Sequence, residues 1–70
     1  MSRENLKKAR KEKGMTQQDM ADYLGTSLRN YQSLEEGVRH GNFKFWDDLE
    51  DLFGMHQRKL REIQEKHHDP

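Results

Sequence analysis

The chain has 70 residues, of which 37% are charged and 30% hydrophobic, with no cysteine and a formal net charge of zero. A chain of this length buries only about 60% of the surface that its unfolded form exposes, so it holds one thin core and little room for a catalytic cleft. The lack of cysteine excludes disulfides and thiolate metal sites. No apolar run approaches the roughly 20 residues of a membrane span, and we expect a cytoplasmic protein with no membrane partner.

Charge is distributed unevenly along the chain. Residues 1–13 carry six positive and two negative charges, whereas residues 46–53 carry four acids and no base. A basic first helix and an acidic fourth helix would give the molecule two faces of different potential. The net charge of zero does not by itself favour nucleic-acid binding.

The first two helices are predicted from caps and from apolar residues at helical spacing. Ser2 is expected to cap a helix that runs through about Lys13, and Gly14 to end it. Thr16 is expected to cap the second helix, with Asp19 three residues later as in a capping box. The expected inner faces of the two helices carry Leu6, Ala9, Met20, Ala21 and Leu24.

A third helix follows a glycine turn. Gly25 ends the second helix, Ser27 caps the third over about Leu28 to Glu36, and Gly37 closes it. Its expected core contacts are Tyr31 and Leu34.

The fourth helix has the clearest period in the chain. It is predicted over about Phe43 to Phe53, with Asn42 as its cap and Gly54 as its stop. One side of the helical wheel gathers Phe45, Trp46, Leu49, Leu52 and Phe53, and the acids fall on the other. A fifth helix is predicted from about His56 to Lys66. We expect a single all-α domain over residues 1–66, followed by a frayed tail at 67–70.

The second and third helices meet the requirements of a helix-turn-helix. Such a motif needs a small residue where the helices cross, a turn glycine, and apolar residues that hold the pair at a fixed angle. Ala21 and Gly25 supply the first two, and Met20, Leu24, Tyr31 and Leu34 supply the third. An ordinary αα-hairpin would use the same residues, so spacing alone leaves both structures open.

The stretch "LKKARKEKGMTQQDMADYLGTSLRNYQSLEEG" resembles the phage-repressor and Cro-type helix-turn-helix family, known as the XRE family. The similarity runs without a gap from Leu6 through Gly54. It implies a compact five-helix, lambda-repressor-like DNA-binding domain with the helix-turn-helix in helices two and three. It also implies a small sequence-specific DNA-binding transcription regulator of the phage or mobile-element type. Residues that carry the resemblance are Leu6, Arg10, "KGMTQ" at 13–17, Met20, Ala21, Leu24, Gly25, Ser27, Leu34, Glu35 and Gly37.

The resemblance assigns DNA contacts to individual side chains. The third helix would lie in the major groove of an operator and read bases through Leu28, Arg29, Gln32 and Ser33. Arg29 suits a guanine, because a guanidinium bonds both O6 and N7 of that base. Contacts to the DNA backbone would come from Gln17, Gln18, Asn30, Arg39, His40 and Asn42. Arg10 and Glu35 match a structural ion pair of the family.

Members of this family usually bind as two-fold dimers to half-sites about one helical turn apart. In a single small domain we expect helices four and five to form the dimer interface. Candidates for a dimer or partner surface are Phe45, Asp47, Asp51, Leu52, Leu60 and Ile63, although burial in the core would also explain the apolar members.

A second interpretation uses the same fold to bind protein instead of DNA. An antirepressor or antitoxin would capture another regulator, and the neutral charge, the apolar Leu28 and the acidic fourth helix fit that interpretation. Neither catalysis nor a cofactor is expected, because the carboxylates lie on what looks like a solvated face without a pocket. His40, His56, His67, His68 and Asp69 have no spacing that places three of them on one ordered face, so we expect no metal site.

Overall fold

The computed structural model describes residues 2–63, and this part of the chain contains five helices. Their bounds are α1 Glu4–Glu12, α2 Gln17–Leu24, α3 Leu28–Glu35, α4 Phe43–Phe53 and α5 Gln57–Arg61. The all-α fold class and the order of the helices agree with the sequence prediction, and α4 has the predicted bounds.

Three side-chain caps start the central helices where the sequence predicts them. Thr16 Oγ1 accepts from the Asp19 N–H at 3.0 Å, and Asp19 Oδ2 accepts from the Thr16 N–H at 2.9 Å, which completes the capping box. Ser27 Oγ and Asn42 Oδ1 each accept from the amide three residues later, at 3.1 and 2.8 Å. Each cap satisfies an amide that has no partner within its helix, so these short helices begin at fixed residues.

Both terminal helices differ from the prediction. Ser2 does not cap α1; its hydroxyl donates to the Glu4 carboxylate, and the N-cap position is held by Arg3 without a side-chain bond. Helix α5 ends at Arg61, well before Lys66, because the next residue has an extended backbone with ψ 131°. Residues 64–70, including the predicted tail, lie outside the described part.

The core joins side chains from all five helices. Its members are Leu6, Ala9, Met20, Ala21, Leu24, Tyr31, Leu34, Trp46, Leu49 and Leu60. Helix α2 packs on α3, α4 packs on α5, and α1 contacts both α3 and α5. The small side chain of Ala21, fully buried, permits α2 to approach its neighbours closely. In residues 2–63 no helix is long and apolar enough to cross a membrane.

The loop between α3 and α4 is fixed against the core. Trp46 Nε1 donates to the His40 carbonyl at 2.8 Å. Gly41 has φ 78°, and a Cβ at this position would lie 2.8 Å from Trp46 Nε1 and 2.9 Å from Leu34 Cδ1. Only glycine combines that backbone angle with so close an approach. The loop therefore presents Arg39 and His40 from a defined backbone.

Candidate functional site

Helix α3 has a buried face and an open face. Tyr31, Leu34 and Glu35 are buried, which anchors the helix to α1 and α2. Leu28 and Arg29 are exposed, whereas Gln32 and Ser33 are half-buried. The open face collects the four residues predicted to read bases, because positions three and four apart along a helix lie close together on its surface.

A buried carboxylate ties α1, α2 and α3 together behind this face. Glu35 is fully buried, and its Oε2 accepts from Arg10 Nε at 2.6 Å and from the Tyr31 hydroxyl at 2.5 Å. Its Oε1 accepts from Gln17 Nε2 at 3.0 Å. Arg10 also donates to the Met15 carbonyl at 3.0 Å. We call Arg10, Gln17, Tyr31 and Glu35 the Glu35 centre.

The pKa values of the Glu35 centre follow from its burial and its charges. Burial lowers the pKa of Arg10, but the hydrogen bond and the charge of Glu35 outweigh it, so this pKa lies above its ordinary value. Burial raises the pKa of the Tyr31 hydroxyl, and its bond to Glu35 raises it further. Both groups therefore keep their protons at neutral pH, as the hydrogen bonds require.

Gln17 connects the Glu35 centre to the open face of α3. Its amide nitrogen donates to Glu35, and its amide oxygen accepts from Gln32 Nε2 at 3.1 Å. Gln32 is thus oriented by a residue of α2 and indirectly by the buried carboxylate. Sequence reasoning placed both glutamines at the DNA surface but missed this bond, since nothing local to the sequence links residues 15 positions apart.

The other candidates for backbone contact differ in how free their side chains are. Gln18 donates to Asp22 at 3.0 Å, and Asn30 donates to Thr26 Oγ1 at 3.2 Å. Asn42 uses its side-chain oxygen to cap α4. The side chains of Arg39 and His40 are exposed on the fixed loop.

The candidate partner surface on α4 and α5 needs one correction. Leu60 is fully buried in the core, so it cannot belong to a surface. Phe45 and Leu52 are half-buried, and Asp47, Asp51 and Ile63 are exposed.

Two exposed apolar residues were missed by the sequence analysis. Phe43 is 80% exposed and Val38 is 73% exposed. Phe43 lies outside the apolar stripe of α4, a signal that could have identified it.

Arg3, to which the sequence analysis gave no role, is buried with only 3% of its surface exposed. Its Nη1 donates to the carbonyls of Leu34 and Arg39 at 2.6 and 2.7 Å, and its Nε donates to the Arg61 carbonyl at 3.0 Å. The guanidinium lies over the ring of Trp46, with its carbon 5.2 Å from the ring centroid. An arginine near the start of a chain gives no sequence signal for such burial. We call Arg3, its three carbonyl partners and Trp46 the Arg3 centre.

Between residues 2 and 63 no group of three or more His, Asp or Glu side chains is placed to hold a metal ion. His56 is instead the N-cap of α5, with its Nδ1 accepting from the Arg58 N–H at 3.0 Å. His67, His68 and Asp69 lie outside the described residues.

Comparison with known families agrees with this geometry. The sequence model of a family described as helix-turn-helix matches residues 6–60, which include all five helices except the last residue of α5 and the start of α1. The chain belongs to the XRE-type helix-turn-helix family. Family membership confirms the resemblance and the lambda-repressor-like fold class.

Two proteins of Bacillus subtilis (strain 168) are similar to this family member. An uncharacterized HTH-type transcriptional regulator, YqaE, is 50% identical over 44 residues, which are 63% of this chain and 38% of YqaE. The SPbeta prophage-derived uncharacterized HTH-type transcriptional regulator YonR is 38% identical over 52 residues, 74% of this chain and 48% of YonR. The chain therefore spans less than half the length of these curated relatives. No solved structure matches it.

Proposed function

We propose that this protein is a sequence-specific DNA-binding transcription regulator of the phage or mobile-element type, with α3 in the major groove of an operator. The observation that carries the proposal is the open face of α3, held in place by the Glu35 centre. A reading helix must hold its side chains to within about 0.5 Å of the geometry that hydrogen bonds to the base edges require, and a rigid support supplies that precision. Family membership and the names of the two relatives support the same function.

Base recognition would rest on Leu28, Arg29, Gln32 and Ser33. Arg29 is exposed and suits a bidentate contact to guanine, worth roughly 1–3 kcal/mol of discrimination. Gln32 keeps its amide oxygen for a base edge while its nitrogen bonds Gln17. Leu28 suits the methyl group of a thymine.

Backbone contacts would come chiefly from Gln17, Arg39 and His40. The start of α2 presents free amides to a phosphate, and Gln17 lies at that helix end. Arg39 and His40 extend the contact from the loop. Gln18, Asn30 and Asn42 also bond within the protein, as Gln17 does, and each keeps a side-chain amide N–H for a phosphate oxygen, so they are further candidates for backbone contact.

A homodimer through α4 and α5 would place two reading helices on a two-fold operator. The candidate surface is Phe45, Asp47, Asp51, Leu52 and Ile63, with Phe43 added because it is so exposed.

The test is an in-vitro selection from a randomised duplex pool with the purified protein at low salt. Enrichment of a two-fold symmetric site is the expected result, and its half-site spacing reports the dimer. A folded, helical protein that enriches no sequence would overturn the proposal.

A second candidate function is capture of a protein partner, such as another regulator. It is favoured by the exposure of Val38 and Phe43 and by the zero net charge. Salt separates the two functions, because duplex binding weakens steeply as salt rises and an apolar complex does not. For partner capture we expect Leu28→Ala, or charge reversal at Asp47 and Asp51, to weaken retention of the partner in a pull-down.

A further inference from the structure

We propose that a pocket beside Arg3, between the α3–α4 loop and α5, is a second anion site that holds a phosphate of the DNA backbone. It lies apart from the α2–α3 contacts and adds residues of α5 to the DNA interface. The inference rests on the proposed function, and the experiment below separates its failure from the failure of that function.

The first observation is that Arg3 carries a buried charge without an anionic partner. Its bonds go to three carbonyl oxygens, and among residues 2–63 no carboxylate lies within ion-pair distance of it. Arg10, the other buried arginine, has Glu35 at 2.6 Å. A buried cation is stabilised fully only when an opposite charge lies near it.

The second observation is the composition of the pocket that Arg3 lines. Its walls are Arg3, His40, Arg58, Arg61, Glu62 and Ile63. Three arginine residues therefore line one opening, together with a single carboxylate, that of Glu62. That carboxylate already accepts from Asn5 Nδ2 at 2.9 Å through its Oε1. Burial lowers the pKa of Arg3, and the charge of Arg61 lowers it further; the opposite charge of a bound anion would act in the other direction.

The third observation identifies the anion. His40 lines this pocket and also the groove that runs along the loop from Asn30 of α3. The positive pocket thus continues the surface that the proposed function turns toward DNA. The two parallel N–H groups of a guanidinium match the spacing of phosphate oxygens, and an exposed guanidinium keeps its charge at every working pH.

Replacement of Arg58 or Arg61 by glutamine tests the site without disturbing the core. The side chains of both are exposed, and the Arg61 carbonyl that binds Arg3 survives the change. Lys59→Gln is the matched control, because it removes the same charge from the same helix but does not line the pocket. The measurement is the affinity for the selected duplex against salt concentration, together with ethylation interference on the same duplex.

We expect the double variant Arg58→Gln/Arg61→Gln to reduce the slope of log affinity against log salt by about 0.9, the value of one phosphate contact, and each single variant to reduce it by part of that amount. The base preference should not change, and ethylation of one particular phosphate should stop interfering with the variants. Lys59→Gln should keep the wild-type slope. Equal slopes for wild type and the double variant, or an equal fall for Lys59→Gln, would overturn the site. A wild-type protein that binds no duplex would instead overturn the proposed function, and the site with it.

Discussion

The positive charges of the two buried arginines, Arg10 and Arg3, are stabilised in different ways. In the Glu35 centre, Arg10 meets a carboxylate that also accepts from Tyr31 and Gln17, so cation and anion are enclosed together. In the Arg3 centre, a cation is held by carbonyl dipoles and an aromatic ring.

This difference suits the Glu35 centre to positioning helices and the Arg3 centre to binding an anion. A closed ion pair has no remaining attraction for an outside ion, and it serves to position α1, α2 and α3. Carbonyl oxygens stabilise a cation only in part, so Arg3 still favours an anion nearby. Removing each centre in turn should therefore have a larger effect on stability at Glu35 than at Arg3.

Glu35→Ala should lower the free energy of unfolding by roughly 3–5 kcal/mol, because it leaves Arg10 without its partner in a buried site. Urea unfolding followed by circular dichroism measures the change. The neighbouring Glu36 is exposed, so Glu36→Ala should stay within about 0.5 kcal/mol of wild type. Equal losses for the two variants would show that the Glu35 centre contributes little.

Arg3→Met should lower the free energy of unfolding by roughly 1.5–3 kcal/mol, the range for hydrogen bonds to a charged group. The loss is smaller than for Glu35→Ala because Arg3→Met removes the buried charge together with its bonds, so no unpaired charge remains, and the Leu34 carbonyl still accepts from the Gly37 N–H at 3.2 Å. Lys8→Met, on the exposed side of α1, is the control. A loss larger than that of Glu35→Ala would contradict the contrast between the two centres.

Arg29→Ala and Gln17→Ala should affect DNA binding differently. Loss of Arg29 should relax the preference at one operator position by about 1–3 kcal/mol. Loss of Gln17 should weaken binding to all duplexes and, because this residue orients Gln32, relax the preference only at the base that Gln32 reads. Competition binding against single-base operator variants gives both quantities. Duplex binding unchanged in both variants would contradict the proposed reading surface.

Alkaline pH should weaken the fold through Tyr31. Its pKa is raised in the folded protein, so folding is disfavoured once the unfolded chain loses this proton, above about pH 10. The contribution is fully present below that pH and falls by at most about 1.4 kcal/mol per pH unit above it. The loss of stability is measured by urea unfolding at pH 9–11. The proteins compared are wild type, Tyr31→Phe and the control Tyr23→Phe, which changes an exposed residue. Only Tyr31→Phe should reduce the fall in the free energy of unfolding between pH 9 and pH 11.

Local patterns made most of the fold predictable. The side chains of Thr16, Ser27 and Asn42 accept hydrogen bonds from amides three residues later, which begins a helix. Glycines that end helices likewise depend only on residues close by in the sequence. The apolar period of α4 gave its bounds, and the family resemblance indicated the pairing of Arg10 with Glu35.

Interactions between distant residues were not predictable. Arg3 sits at the N-cap because its side chain reaches carbonyls 31, 36 and 58 positions away, and no local rule favours that over Ser2. The sequence left Leu60 open between a partner surface and the core, and only the packing of α5 against α1 and α4 places it in the core. The roles proposed for the site residues stay predictions until the binding experiments are done.

The bond from Arg3 Nε to the Arg61 carbonyl, which spans 58 residues, also has a consequence for folding kinetics. The entropic cost of closing a loop grows with its length, so α2 and α3 can pair before the two ends of the chain meet. We expect the seam between the start of the chain and α5, made by the contacts of Arg3 and α1 with α5, to form late and to be absent from the transition state. Substitutions in that seam should then accelerate unfolding and leave the folding rate almost unchanged, so the seam would set the lifetime of the native protein.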